Sequence, residues 1–213
     1  MLFRSRTELV MALFGARKLT GGSVEIKGEA VDIRTPRDAI RRKIALVTED
    51  RKLYGLNLIG CVGDNIVSVV ERKYSKGIFH NRRKCNGLAE DMVKRLSIKV
   101  TGIRQITGSL SGGNQQKVVL AKWLLNEPDI IIFDEPTRGI DVGAKTEIYK
   151  IIEELACEGK GIIIISSEMP ELIGLSHRMI VLHEGRMTGG LDIDELTQEN
   201  IMTLASGCGK GDA

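Results

Sequence analysis

Apolar residues recur along the chain at helical spacing in some stretches and in short continuous or alternating runs in others. Helical spacing predicts helices over 7–16, 36–43, 114–125, 142–157, 170–175 and 194–205. Short or alternating apolar runs predict strands at 24–26, 31–33, 44–47, 130–133, 162–166, 179–183 and 187–191. The first helix is expected to bury Leu9, Val10, Leu13 and Phe14 on one face. Because strands and helices alternate, the sequence predicts a layered α/β domain.

Residues 62–97 follow a charged helical pattern with breaks near Gly77 and Asn81. Together with the helix predicted after residue 113, this stretch suggests a helical subdomain over about 57–125. Residues 49–60 are predicted to form a loop. We expect one domain over 1–206 and a flexible tail over 207–213.

Composition narrows the class of protein. The 213 residues carry a net charge of +3, too weak to indicate a nucleic-acid surface, and few aromatic residues accompany the basic clusters. The four cysteines lie far apart and form no metal or redox motif, as in a protein with reduced thiols. The longest apolar runs are too short to span a bilayer.

The octapeptide Leu110–Lys117 is the most informative stretch. Ser111 is followed by Gly112 and Gly113, and Asn114 then begins a helical run. Such a turn exposes backbone N–H groups at the positive end of a helix, where phosphate binds readily. Ser111 can either cap the helix or turn its hydroxyl outward to a ligand. The alternative is an ordinary glycine-rich helix start.

A second candidate site follows the apolar strand at 130–133. Asp134 and Glu135 stand at its carboxyl end, where open α/β sheets place ligands. Asp134 could hold Mg²⁺ through oxygen, and Glu135 could orient or deprotonate a water molecule. The alternative is a pair of solvated carboxylates at a strand end.

These two motifs, in this order and spacing, resemble those of the ATP-binding cassette (ABC) ATPases. Leu110–Gln115 resembles the family's signature motif, Ile130–Glu135 its Walker B strand and Thr137–Asp141 its D-loop. The string from Asp134 to Lys145 is similar to the second cassette of the tandem ATPases that power bacterial importers of ribose, galactose and xylose. The resemblance implies an ABC-type ATPase domain with a RecA-like parallel core sheet, a small antiparallel β region and a helical subdomain. It covers roughly residues 6–205.

The resemblance also has departures. The family's phosphate loop should end near Arg6 and Thr7, but its glycines and the strand before it are missing, so we expect an N-terminally truncated cassette. Glu49 stands where the family has its Q-loop glutamine, and Ser167 stands where it has a switch histidine. Serine cannot stabilise γ-phosphate charge as imidazole does. The tail Ser206–Lys210 imitates a phosphate loop only faintly.

Carried over residue by residue, the resemblance implies that Ser111, Gly112, Gly113 and Asn114 close an ATP site held by a complete first cassette. Asp141 would communicate across that pair, although it could equally cap the helix at Val142. ATP and Mg²⁺ are the implied cofactors. The isolated chain is expected to be weakly active or inactive.

The implied partners are the first cassette, membrane permease subunits and, indirectly, a sugar-binding protein. The implied location is cytoplasmic, peripheral on the inner face of the cell membrane. Two alternatives remain open: a non-catalytic remnant of such a subunit, and a non-transport ABC protein acting on nucleic acid or ribosomes.

Overall fold

The computed structural model of the protein describes residues 3–76 and 79–207. In chain order its helices and strands are α1 (Phe3–Leu13), β1 (Val24–Ile26), β2 (Glu29–Val31), α2 (Pro36–Arg41), β3 (Ile44–Val47), α3 (Val62–Val67), β4 (Ser75–Lys76), β5 (Phe79–His80), α4 (Arg82–Arg95), α5 (Gly112–Leu124), β6 (Ile130–Asp134), α6 (Val142–Cys157), β7 (Gly161–Ile165), α7 (Met169–Leu175), β8 (Arg178–His183), β9 (Arg186–Asp192) and α8 (Gln198–Ala205). This order of strands and helices confirms the predicted α/β class. The tail predicted from residue 207 lies outside the described residues beyond Gly207.

The chain divides into two compact units. One comprises the described residues up to Ala39 and those from Ile164 onward. The other, the central unit, is Ile40–Ile163. A three-stranded sheet in the order β3–β6–β7 is centred on β6. Strands β3 and β6 run parallel, with Ile44 opposite Ile130 and Val47 opposite Phe133. All four residues of β3 are buried, as expected for a parallel strand covered on both faces.

Helix α5 forms the core of the central unit. Its residues from Gln115 to Leu124 are all buried, including two lysines. A helix that is buried on all sides packs against several neighbouring elements rather than one. Asn65 on α3 ties the preceding segment to this core: its amide donates to the carbonyls of Asn57 and Cys61 and to the hydroxyl of Thr107.

Residues 49–60, predicted as a loop, contain a π-helical turn over Arg51–Gly55. The carboxylate of Asp50 accepts from the backbone N–H groups of Lys52 and Leu53, each at 3.0 Å, and so caps the turn. Side-chain capping by aspartate is a local effect that periodicity does not report. The loop prediction was therefore wrong for these five residues.

The other unit contains two antiparallel hairpins, β1–β2 and β8–β9. Both confirm the small antiparallel region that the sequence predicted. The second hairpin shares a core with α8, made of Met179, Val181, Leu191, Leu196 and Ile201. Val10 in α1 and Phe14 just after it are buried as predicted, but Leu9 is 47% exposed.

The closing helix predicted over 194–205 is interrupted. Residues Ile193–Glu195 form a short 3₁₀ turn, and α8 starts only after Thr197. The Thr197 hydroxyl accepts from the N–H of Asn200 and caps the new helix. Threonine favours an N-cap over a helix interior, which explains the break.

No described helix is long and apolar enough to cross a membrane.

Candidate functional site

The signature turn, residues 111–114, stands at the start of α5. The helix begins at Gly112, two residues earlier than predicted, and Ser111 occupies the N-cap position. Its hydroxyl makes no cap bond to the helix backbone and instead accepts from the Asn114 side-chain amide at 2.9 Å. The capping alternative is therefore not adopted. Ser111 is exposed, and the first-turn N–H groups of α5 receive no side-chain cap from it.

Both glycines of the turn are required by close neighbours. A Cβ at Gly113 would overlap the Cβ of Ala144, which brings the start of α5 against α6. A Cβ at Gly112 would lie 2.8 Å from Nη2 of Arg51 and 3.0 Å from the carbonyl oxygen of Gly139. A side chain at residue 113 would therefore collide with α6, and a side chain at residue 112 would displace the Arg51 guanidinium.

A cleft of about 270 Å³ opens between the starts of α5 and α6. Its lining residues are Lys99, Ser111, Gly113, Asn114, Asp141, Gly143, Ala144 and Glu147. Asp141 caps α6, since its Oδ1 accepts from the N–H of Ala144 at 2.9 Å. The capping role predicted for Asp141 is confirmed, and the cleft is bordered by one capped and one uncapped helix start.

Charged groups shape this cleft. The Lys117 ammonium lies 2.8 Å from Oε2 of Glu147, and it donates to the Ser97 carbonyl at 3.2 Å. The hydrogen bond from Lys117, reinforced by its charge, lowers the pKa of Glu147 below its usual 4.5. The side-chain oxygen Oδ1 of Asn114 accepts from the backbone N–H of Lys99 at 2.8 Å, which fixes the side chain that holds Ser111.

Acidic residues stand at the adjoining sheet edge. Since Val47 pairs with Phe133 in parallel register, Glu49 follows β3 at the edge where Asp134 and Glu135 end β6. Asp134 is 3% exposed, whereas Glu135 is partly exposed and adopts a left-handed backbone with φ of +51°. This conformation is uncommon for a non-glycine residue and is concentrated at functional positions. It turns the chain sharply at the end of the strand.

The metal prediction for Asp134 can be tested on donor chemistry. Within the described residues, no three His, Cys, Asp or Glu side chains form a group that could hold a metal ion. Mg²⁺ ordinarily uses one or two carboxylates, together with water and substrate phosphates. A single buried carboxylate at the strand end therefore fits a Mg²⁺ site whose remaining ligands come from the nucleotide and water.

Two side chains of the segment after β3, those of Glu49 and Arg51, contact the turn after β6. Glu49 forms an ion pair with the guanidinium of Arg138. Arg51 donates from Nη1 to the Arg138 carbonyl at 2.9 Å and from Nη2 to the Gly139 carbonyl at 3.3 Å. The structure thus brings Glu49 together with the predicted D-loop, 137–141, through its bond to Arg138.

The remaining predicted site residues lie in the other unit. Arg6 donates from Nη1 to the Ser166 carbonyl at 2.9 Å, and Thr7 is the next residue of α1. Ser167 is exposed, two residues after β7 ends. His177 is exposed and His183 ends β8, and neither histidine stands at the position of the family's switch histidine. The roles of Arg6, Thr7 and Ser167 toward a nucleotide stay predictions.

Comparison with known proteins decides the family. A family model described as "ABC transporter" matches residues 6–138. The chain belongs to the ABC transporter family. The resemblance drawn from the signature turn and the β6 carboxylates is thereby confirmed.

Curated relatives of this ABC chain share about half of its residues. It is 52% identical over 202 residues to a putative ribose/galactose/methyl galactoside import ATP-binding protein of Geobacillus kaustophilus. It is 48% identical over 203 residues to a ribose import ATP-binding protein of Yersinia pestis. Each alignment covers 95% of this chain and 40% of the relative, so the chain spans about two fifths of the length of these relatives.

Solved structures support the ABC fold. A dimeric ATP-binding cassette in a post-hydrolysis state, bound to ADP and phosphate, aligns with a TM-score of 0.73 at 21% identity. That alignment covers 88% of this chain and 80% of the other. A nucleotide-free cassette aligns with a TM-score of 0.74 at 18% identity over 95% of this chain and 80% of that one.

Arg51 has a role that sequence reasoning missed. No spacing rule links Arg51 to Gly112 or Gly139. The only sequence signal was an arginine shortly after a buried strand, which many proteins share. Its two carbonyl contacts became visible only in the fold.

Proposed function

We propose that this chain is an ATP-binding module of a carbohydrate importer that uses its signature turn to close an ATP site held by a partner cassette. The proposal rests on one observation above all. The helix α5 starts at paired glycines without a side-chain cap, and Ser111 is exposed at the edge of a 270 Å³ cleft. Uncapped helix starts with bare N–H groups bind phosphate.

The carbohydrate part of the proposal comes from the relatives. Those compared are import ATP-binding proteins whose names include ribose or galactose, and they share about half of the chain's residues. We propose that the sugar is recognised by other subunits, a binding protein and a permease. The chain would then act at the cytoplasmic face of the membrane as a peripheral subunit, without contact with nucleic acid.

The chain's own residues would play separate parts. Ser111 and the N–H groups of Gly112 and Gly113 would bind the terminal phosphate of the partner's ATP, and Asn114 would hold the Ser111 hydroxyl in place. Asp134 would hold Mg²⁺ and Glu135 would orient water in a site of this chain's own, with Glu49 at the same sheet edge. Arg6, Thr7 and Ser167 are proposed to contact nucleotide on the family resemblance alone. Mg²⁺ would neutralise phosphate charge there. We expect this second site to be weak, because Ser167 stands where the family has a switch histidine and serine cannot stabilise phosphate charge as imidazole does.

The segment 49–60 supports a permease contact. It displays Leu53, Tyr54 and Ile59, which are 69%, 66% and 87% exposed. Large apolar residues exposed together commonly mark interaction surfaces. We propose that this apolar segment contacts the permease.

Mixing with a separately purified first cassette tests the proposal. A suitable partner is the first cassette of the Geobacillus relative, with ATP hydrolysis as the readout. We expect this chain to stimulate hydrolysis and Ser111→Ala to reduce the stimulation by about tenfold or more, since a hydrogen bond to a charged group is lost. Ser109→Ala is the matched control, because Ser109 is also exposed and its hydroxyl bonds to Gln105 and Ile106, which are four and three residues away in the chain.

Two results would overturn the proposal. One is an absence of stimulation together with silent nucleotide binding, with and without the first cassette, which would favour the remnant alternative. The other is robust ATP turnover by the purified chain alone that Glu135→Gln abolishes. That second result would show that the chain forms a complete site of its own.

A further inference from the structure

Arg51 joins three segments of the central unit: its own turn after β3, the turn at 137–141 and the signature turn. It is the first residue of the π-helical turn after β3, and its guanidinium donates to the carbonyls of two consecutive residues, Arg138 and Gly139. The planar fork of arginine suits two acceptors held side by side. A single ammonium could not reach both in this way.

The same guanidinium also packs against the signature turn. Its Nη2 would lie 2.8 Å from a Cβ built on Gly112, so any side chain at residue 112 would push the guanidinium from its present place. The Gly139 carbonyl oxygen approaches the same point at 3.0 Å. Arg51, Gly112 and the turn at 138–139 therefore form one packed unit.

We propose that Arg51 is a positioning residue that holds the 137–141 turn against the signature turn and so sets the shape of the surface that closes the partner's ATP site. This inference rests on the proposed function for its consequence, but its geometry is independent of it. The Glu49–Arg138 ion pair adds a second, more exposed contact between the same two segments.

Burial of Arg51 is consistent with this role. Removal from water lowers the pKa of its guanidinium, while the charge of Asp50 opposes that shift. Partial burial of this charge costs desolvation free energy, and its hydrogen bonds to the two carbonyls of the turn offset that cost. Loss of the charge would leave both carbonyls without this donor.

The position of Arg51 has a mechanical consequence. It begins the turn that displays Leu53 and Tyr54, the residues proposed to meet the permease. A displacement of that surface would pull directly on the 137–141 turn and on Gly112. Arg51 would thus carry movement from the permease side to the site-closing side.

Hydrogen exchange on the isolated chain tests the positioning role. The N–H of Arg138 bonds to the Glu135 carbonyl at 3.2 Å, and that of Ile140 to the Thr137 carbonyl at 3.3 Å. In Arg51→Gln we expect these two amides to exchange about tenfold faster or more, while amides of α4 keep wild-type rates. Arg51→Lys should not restore protection, because charge alone is insufficient. Lys52→Gln, which removes a neighbouring exposed charge, should behave as wild type.

Three outcomes would overturn the inference: unchanged exchange at Arg138 and Ile140 in Arg51→Gln, a uniform rise across the chain, or full protection in Arg51→Lys. A second measurement uses the first cassette. We expect Arg51→Gln to reduce its stimulation about tenfold or more. Equal stimulation by wild type and Arg51→Gln would refute the positioning role and leave the proposed function intact. No stimulation by wild type, with the expected exchange pattern, would refute the proposed function alone.

Discussion

The buried ammonium of Lys117 on α5 lies 2.8 Å from the carboxylate of Glu147 on α6, and this ion pair joins the two helices that border the cleft. Lys117 is 4% exposed, whereas the Glu147 side chain is 49% exposed. The pair is therefore asymmetric, because one partner depends on the other for compensation of a buried charge.

Glu147→Gln is expected to lower the free energy of unfolding by roughly 1 kcal/mol at neutral pH, because the buried ammonium loses its counter-charge. Since Lys117 lowers the pKa of Glu147, the wild-type advantage is present above the usual carboxyl pKa and fades as the pH falls through the lowered value. Urea denaturation at several pH values measures this. Glu153→Gln, an exposed change on the same helix, should stay within about 0.5 kcal/mol of wild type.

Gly113→Ala should destabilise the chain by about 1–3 kcal/mol, because the new Cβ would overlap Ala144 across the α5–α6 contact. Gly87→Ala is the matched control: it lies within α4 with open space around it, and alanine there should add about 0.5–1 kcal/mol. Thermal and chemical unfolding of both variants give the comparison. Equal effects of the two substitutions would contradict the close approach.

Because Lys122 is buried, we expect the free energy of unfolding to depend on pH above neutrality. Burial lowers the pKa of its ammonium from 10.5 to about 8, and it donates to the carbonyl of Gly55. Between those two values the unfolded chain holds the proton that the folded chain has released, so stability rises with pH across this window by at most about 3 kcal/mol. Lys122→Met should remove that rise.

The measurement for Lys122 is the difference between the unfolding free energies of wild type and variant from pH 7 to pH 11. Other lysines and tyrosines titrate in both proteins and cancel in the difference. Lys150→Met, an exposed lysine on α6, should follow the wild-type curve. Parallel curves for wild type and Lys122→Met would show that Lys122 does not lose its proton in this range.

Two substitutions should separate the capping role of Asp141 from a role across a cassette pair. Asp141→Ala is expected to lower the free energy of unfolding by about 1 kcal/mol because α6 loses its cap, whereas Asp141→Asn keeps an accepting oxygen and should lose much less. If the aspartate also acts across a cassette pair, Asp141→Asn should still weaken stimulation of a first cassette. Denaturation and the mixed hydrolysis assay together decide this point.

Much of the fold follows from local patterns. The strand β6 and the helix α6 lie within one residue of their predicted bounds, because continuous apolar runs and helical periodicity act locally. The carboxylates at the end of β6 and the glycines at the start of α5 were also sufficient to indicate the family.

Some features that the sequence did not predict depend on contacts between residues distant along the chain, and others on local side-chain caps that periodicity does not report. The helix α5 begins at Gly112 although glycine is a poor helix former, because Gly113 must pack against Ala144. Periodicity likewise placed one long helix at 194–205, where Thr197 instead caps a separate one. The contact of Arg51 with Gly139 joins residues 88 positions apart, and no local rule could anticipate it.

The two helix starts that border the cleft differ in charge, because Asp141 caps α6 whereas α5 has no side-chain cap. Asp141 already occupies the positive end of α6 and brings a negative charge with it, while the positive end of α5 is left open beside Ser111. An anion entering this space is repelled from one wall and attracted to the other. An elongated molecule with one anionic end is therefore favoured to enter the cleft with that end toward Ser111.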